Sequence, residues 1–342
     1  MKYSVLRICA RSTAIMRQAA LARSCRPSCG DPGAAGVSAI IAAMRHAHVP
    51  TSAILLIASS VLCFTFLDTI TKFTSERYPV PMLVWARYAV QLVAMLIWLG
   101  PRMRLDLVRT KRPRLQLFRG ALLLASSLFF VTALRSLPLA EATALNYTTP
   151  VIVVVMARVI LGERMTPARM AFVATGVAGM LLVVRPGSDI FRGAALFGLA
   201  AAVFYASYQI TTRMMSDENP RVLLFYPALV GTIIMSILAP GLEWPASMPW
   251  WHAVLIVCAG LLGTLGHFLF ILAFRRAPAS ALTPFTYMQL VWAMAMGWLV
   301  YRDFPDALAV AGMAVIAGSG LLMTLHERRR ARLLAVDTVT VQ

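Results

Sequence analysis

"ALRSLPLAEATALNYTTP" occupies residues 133–150, and "AFRRAPASALTPFTYMQL" occupies 273–290. Laid over each other at an offset of 140, they share Ala133/Ala273, Arg135/Arg275, Pro138/Pro278, Thr143/Thr283 and Tyr147/Tyr287. The offset holds without a gap from 117–182 against 257–322, with 14 identities in 66 positions, among them Gly120/Gly260, Phe130/Phe270, Val151/Val291 and Leu181/Leu321. It extends to "DTITK" (68–72) against "YQITT" (208–212). Shared apolar composition yields some matches by chance, but an ungapped register that aligns loop prolines as well as apolar runs asks for more. The chain contains the same unit twice.

What the unit is made of follows from composition. Of 342 residues, 59% are hydrophobic and 13% charged, against roughly 45–50% and about 25% in soluble domains. That leaves too little polar surface to cover the chain in water, and an all-α integral membrane protein is expected. Apolar runs of about 20 residues, enough to cross about 30 Å of hydrocarbon, fall at 52–72, 81–100, 117–136, 140–161, 168–185, 193–213, 221–240, 251–273, 279–300 and 307–325. The loops between them are too short for a soluble domain, and the runs are too long for the alternating strands of an outer-membrane barrel.

The net charge of +18 could suggest nucleic acid, but its placement argues against that partner. With the N-terminus inside, inner segments hold 25 of the 32 Lys/Arg, including the run around loop 2–3 with Arg119. Outer segments hold Lys72, Arg77, Arg135, Arg185, Arg192 and Arg302, and Arg87 lies within the second span. This positive-inside bias sets both termini in the cytoplasm. "RMRLDLVRTKRPR" then reads as topology and contact with anionic membrane lipids. Five cysteines (9, 25, 29, 63, 258) form no metal pattern or disulfide framework, and His46 and His48 have no companion ligands. No metal or other cofactor is expected. Residues 1–50 are expected to be a basic flexible tail, or the true start to be Met44; with no sustained apolar core of about 7–15 residues there, a secretory signal is not expected.

Each copy holds five spans, an odd number, so the second copy crosses the membrane in the opposite sense. The expected fold is ten transmembrane helices as a 5+5 inverted-topology repeat: tail 1–50, repeats 51–187 and 188–326, and a cytoplasmic tail 327–342. Such repeats place a site at the pseudo-two-fold axis near the midplane. The two halves resemble EamA domains of the drug/metabolite transporter superfamily over about 52–326. The resemblance is carried above all by "PVIVVVMARVILGERMTPARMAFVATGVAGMLLV" (150–183). The second copy departs at Gly162-Glu163-Arg164, which becomes Arg302-Asp303-Phe304, and at Pro150, which becomes Leu290. "PFTYMQLVWAMAMGWLVYRDFPD" resembles bacterial members that move riboflavin, S-adenosylmethionine or metallophores. The resemblance implies a transporter of a small-molecule substrate across the cytoplasmic membrane.

Charge inside a membrane is costly and marks functional candidates. Asp68 in the first span has Lys72 four residues on, hence on one face, and Arg87 falls at similar depth in the second, where it is expected to meet Asp68. The bland alternative is a structural pair, with Lys72 snorkelling to the interface. Asn146 and Tyr147 in span 4, and Tyr287, Gln289 and Trp292 in span 9, enter from opposite faces to roughly 10–12 Å. Pro150 and Pro284 free carbonyls nearby. Tyr205, Tyr208 and Gln209 in span 6 and His267 in span 8 add polar atoms to the inner half. Tyrosine packing and a merely structural histidine are the competing readings. Glu141 suits a helix N-terminus, and Glu163 an ion pair with Arg164. Small residues Ala171, Thr175, Gly179, Gly312 and Gly320 permit close packing within the chain, with a homodimer seam as the second reading.

No GxxxxGK[ST] loop exists for ATP. Proton or ion coupling and passive exchange both stay open. A membrane enzyme would need an acid–base pair, yet His267 and Asp68 are expected near opposite faces. A lipid-linked substrate flippase is the alternative transport reading.

Overall fold

The computed structural model describes residues 50–161, 166–184, 193–215, 217–238, 241, 245, 247–277, 282 and 285–340. The N-terminal tail with Met44, His46, His48 and its three cysteines lies outside the described residues, as do Glu163, Arg164, Arg185, Arg192, Pro278, Thr283 and Pro284.

The described residues form helices and no strand. These are α1 (Thr51–Ser75), α2 (Val80–Met103), α3 (Pro113–Ser136), α4 (Leu139–Asn146), α5 (Thr149–Leu161), α6 (Pro167–Val184), α7 (Gly193–Arg213), α8 (Pro220–Leu238), α9 (Trp250–Arg276), α10 (Met288–Tyr301) and α11 (Ala307–Thr340). Each apolar run predicted from the sequence lands on a helix, and the fourth is divided between α4 and α5. Among the described residues eight helical stretches are long and apolar enough to cross a membrane, Leu139–Ile160 counting as one; Met170–Val184 and Met288–Tyr301 are shorter apolar helices.

Local chemistry sets the ends. Proline opens α3, α6 and α8, where its fixed φ suits the first turn and its missing N–H goes unused. Arg302 closes α10 in the left-handed conformation at φ 57°, and its N–H reaches back to Trp298 O at 3.1 Å, an αL-type stop. Within α1, the buried hydroxyls of Thr65, Thr69 and Thr71 donate to carbonyls one turn back at 2.7–2.9 Å. Those polar groups are therefore satisfied without water.

The helices run so that Ser75, Ser136, Val184, Leu238 and Tyr301 share one end of the bundle (the Ser75 end). Met103, Arg112, Arg213 and Arg276 share the other (the Arg112 end). The most extensive packing joins α1 to α9, α3 to α7, and α6 to α11; α2 lies against α8 and α9, α8 against α3, α5 against α7, and α10 against α1 and α4. Large apolar side chains such as Ile97, Val159, Ile237 and Trp250 face outward, as lipid-facing surfaces do.

Two close approaches are related by the repeat offset. A Cβ at Gly120 on α3 would stand 2.7 Å from Val230 Cβ on α8, and one at Gly260 on α9 would stand 2.6 Å from Val90 Cβ on α2. Adding 140 to Gly120 and Val90 gives Gly260 and Val230. Likewise, Gly179 and Gly312 bring the α6 and α11 backbones together, and their offset counterparts Ser319 and Phe172 are joined by a 2.6 Å hydrogen bond. Gly179, Gly312 and Gly320 thus pack within the chain, whereas Ala171 and Thr175 are exposed.

Candidate functional site

Pro150 has no N–H to return to the Asn146 carbonyl, and the helix stops at Asn146 and restarts at Thr149. Tyr147 sits in this break. Tyr287 sits immediately before α10. Although 140 residues apart, their rings meet with centroids 5.2 Å apart. The Tyr147 hydroxyl donates to Thr286 O at 2.5 Å and lies 3.1 Å from Gln289 Oε1. The Tyr287 hydroxyl instead fills the space that a Cβ at Gly320 would need.

Gln289 extends the chain of contacts. Its Nε2 donates to Asp68 Oδ2 at 3.3 Å, so Asp68 on α1, Gln289 on α10 and Tyr147 at the α4–α5 break form one relay. Asp68 is 7% exposed. The sequence-predicted residues Asp68, Tyr147, Tyr287 and Gln289, from spans 1, 4 and 9, therefore converge.

The expected Asp68–Arg87 pair is not formed. Among the described residues Arg87 makes no ion pair; its Nη2 donates to Ser127 Oγ at 2.8 Å, and its guanidinium lies 5.4 Å from the Tyr88 ring. The guanidinium is turned to α3 instead, while staying within electrostatic range of the Asp68 carboxylate. Lys72 does not snorkel outward either. Its Nζ donates to Leu134 O at 3.1 Å and Leu137 O at 2.6 Å, and lies 5.4 Å from the Tyr301 ring. Tyr301 in turn donates to Thr69 O at 2.6 Å. These contacts fasten α1, α3 and α10 together at the Ser75 end.

Towards the Arg112 end, Tyr205 and Tyr208 stack at 5.8 Å and 12°, with Gln209 half-buried beside them. His267 packs edge-on to Phe64 at 4.9 Å, one helical turn from Asp68 along α1. It is thus nearer the acid than the expected opposite faces, and no hydrogen bond joins them. Asn146 is half-buried. Trp292, one turn beyond Gln289 on α10, has a buried Nε1–H without a partner.

Two residues were missed by the sequence reading. Tyr88, buried on α2, bonds Ser127 Oγ at 2.9 Å. Arg119, counted there among the loop cations, is completely buried on α3: Nη1 meets Thr212 Oγ1 at 3.1 Å, Nη2 meets Leu223 O, and the guanidinium lies 4.9 Å from the Tyr208 ring. Its spacing of three from Gln116, placing both on one helix face, was the available signal.

A crevice lined by Thr71, Thr74, Val84, Arg87, Val131 and Ile256 opens beside the site, and its accessible core of about 10 Å³ suffices for about one water. The tyrosine pair and Gln289 fill the space between α1, α4 and α10.

A bundle of helices long and apolar enough to cross a membrane, with a polar relay and an aromatic pair inside it, is a multi-pass membrane protein. The sequence pattern of the EamA-like transporter family matches residues 51–185 and again 192–325, and the chain belongs to that family, within the drug/metabolite transporter superfamily. It is 29% identical to a riboflavin transporter of Rhizobium johnstonii over 79% of this chain and 90% of that one. It is 24% identical to an S-adenosylmethionine uptake transporter of Rickettsia bellii (77% and 89%), and 29% identical to a pseudopaline exporter of Pseudomonas aeruginosa (78% and 93%). A solved crystal structure, 21% identical, superposes with a TM-score of 0.58 over 82% of this chain and 98% of that one, a likeness of fold.

Proposed function

We infer that this chain is a secondary transporter that moves a small organic metabolite across the cytoplasmic (inner) membrane by alternating access. Its ten helices act as two inverted five-helix repeats, 51–187 and 188–326, with both termini in the cytoplasm and the Ser75 end outside. The packing supports this. Exchanging each helix for its repeat counterpart turns the α1–α9 contact into α7–α3, α2–α9 into α8–α3, and α5–α7 into α10–α1. A pseudo-two-fold arrangement of this kind has two related states that open to opposite faces.

The observation that carries the reading is the meeting of Tyr147 with Tyr287. A residue in contact with its own repeat counterpart lies close to the pseudo-axis, and there the Asp68–Gln289 relay supplies hydrogen-bonding groups. Aromatic faces, an acid and the unpartnered Trp292 N–H together suit a ring-bearing polar solute. The named substrates of the relatives, riboflavin, S-adenosylmethionine and pseudopaline, support a metabolite of that size. Asp68, Arg87, Asn146, Tyr147, Tyr205, Tyr208, Gln209, His267, Tyr287, Gln289 and Trp292 line the pathway, and Lys72 fastens the outer end. Asp68, joined to the relay, is the group through which a proton gradient would act.

The test is flux into proteoliposomes, with and without an imposed pH gradient, using riboflavin, S-adenosylmethionine, aromatic amino acids and nucleosides. Saturable flux lost in the Tyr147→Ala/Tyr287→Ala double variant and in Asp68→Ala supports the reading, and a gradient-dependent rate assigns proton coupling. Folded protein that moves none of these solutes, but does move a labelled lipid between leaflets, overturns it.

A further inference from the structure

Arg119 is enclosed completely, at 0% exposure, and among the described residues it forms no ion pair. Its partners are a hydroxyl, a backbone carbonyl, the phenol face of Tyr208 and, at 3.4 Å, the Gln116 Oε1. None carries negative charge. Gln116, also at 0% exposure, directs a buried Nε2 donor at no acceptor. The helix supplies no compensation, because Arg119 is the seventh residue of α3 and the N-terminal end of a helix is its positive end.

A buried cation without a counter-charge and a buried amide without an acceptor are each costly. One species relieves both: an oxyanion that accepts from the guanidinium fork and from the Gln116 N–H together. The stacked pair Tyr205 and Tyr208 lies alongside, with the Tyr208 ring already against the guanidinium. The site therefore suits an oxyanion carried on a flat group. Chance placement of a surplus topological arginine would leave its side chain towards the lipid headgroups, whereas this one turns into the bundle between α3, α7 and α8.

We propose that Arg119 and Gln116 form an oxyanion site at the Arg112 end that takes the carboxylate or phosphate of the transported solute. This rests on the transporter reading for the identity of the occupant, while the site itself is read from the side chains. It adds an anionic group to the substrate class and a second binding station, separate from the tyrosine pair on the axis. At this station the oxyanion would be held by Arg119 and Gln116 and its flat group by Tyr205 and Tyr208.

The experiment is thermal unfolding of the full chain in lipid-free detergent, titrated with benzoate, benzamide and inorganic phosphate, and separately with phosphatidylglycerol. A ligand that binds the folded state raises the unfolding temperature with concentration. Benzoate is expected to raise it and benzamide, its neutral isostere, to leave it unchanged. Arg119→Gln should weaken benzoate about tenfold or more, as loss of charge-assisted hydrogen bonds does, with Arg119→Lys intermediate. Gln116→Leu keeps the cation and should weaken benzoate about threefold or more. Equal shifts from benzamide and benzoate, or benzoate affinity unchanged in Gln116→Leu or Arg119→Gln, overturn the proposal. Stabilisation by phosphatidylglycerol alone, lost in Arg119→Gln, overturns the solute as source and assigns the oxyanion to a headgroup. Because the readout is binding, benzoate binding without flux sinks the transport reading and keeps the site; flux without benzoate binding does the reverse.

Discussion

Lys72 and Arg119 are both buried cations, one held against the C-terminal end of α3 and the other carried near its N-terminal end, and their surroundings differ in electrostatic sign. Lys72 meets the last carbonyls of α3, Leu134 O and Leu137 O, where the helix dipole is negative and a cation is welcome. Arg119 sits towards the α3 N-terminus, with neutral partners only. The repeat register links the two: Lys72 corresponds to Thr212, the very residue that Arg119 touches. One end thus holds its cation as a fastener. The other brings a cation from a neighbouring helix to the equivalent position and leaves its charge unanswered. Similar residues at matched positions can have opposite duties, and the counter-charge tells them apart.

The sharpest way to break this contrast is an apolar, length-matched replacement at both ends. Lys72→Met removes a charged donor from two carbonyls and is expected to lower stability by about 2–3 kcal/mol, read as a fall in unfolding temperature in detergent. Arg119→Met removes a buried uncompensated charge and should leave stability within about 1 kcal/mol of the parent or raise it, while anion binding is lost. Equal losses at both ends would erase the distinction.

Next in size, Gly120→Ala and Gly260→Ala each drive a methyl into a valine related by the repeat. Both are expected to cost about 1–3 kcal/mol, and by similar amounts. A large inequality in their unfolding temperatures would mean that the two interfaces are not equivalent. Tyr147→Phe removes a hydroxyl bonded across to Thr286 and Gln289, and should cost about 0.5–1.5 kcal/mol, seen as a roughly two- to tenfold rise in the substrate concentration for half-maximal flux. Tyr287→Phe should cost less. The smallest effect concerns Asp68 and Arg87: with no direct ion pair, but with the guanidinium within electrostatic range of the carboxylate, a double-mutant cycle on flux or stability is expected to give coupling of about 0.5–1 kcal/mol. A coupling of 2 kcal/mol or more would indicate that they pair in the alternate state.

Much of this architecture was legible in the sequence because hydrocarbon imposes length and composition directly. Each apolar run became a helix, and the repeat register brought Tyr147 to Tyr287 without knowledge of any contact. Azimuth was not legible. Reading depth along a span placed Asp68 and Arg87 at one level, but depth does not say which way a side chain leaves the helix, and Arg87 turned to Ser127. The same omission hid Arg119: counting cations by segment records on which side of the membrane a residue lies, not whether it faces lipid or the interior. His267 was set too far from Asp68 because α9 overlaps α1 along most of its length, as the 2.8 Å bond from Ser60 to Gly266 O records.

That Ser60–Gly266 contact has a consequence for how the chain is made. The principal partner of α1 is α9, some 200 residues later, which ribosomes take roughly 10–40 s to synthesise at typical rates. Until then α1 resides in the bilayer without its main packing partner and Asp68 without Gln289, although Lys72 can already meet the end of α3, and α3 waits similarly for α7. The first copy is therefore an obligate orphan during translation, held by lipid and by whatever insertion machinery shields it. Severing the gene between the copies should yield a first half that is degraded unless its second half is supplied in the same membrane.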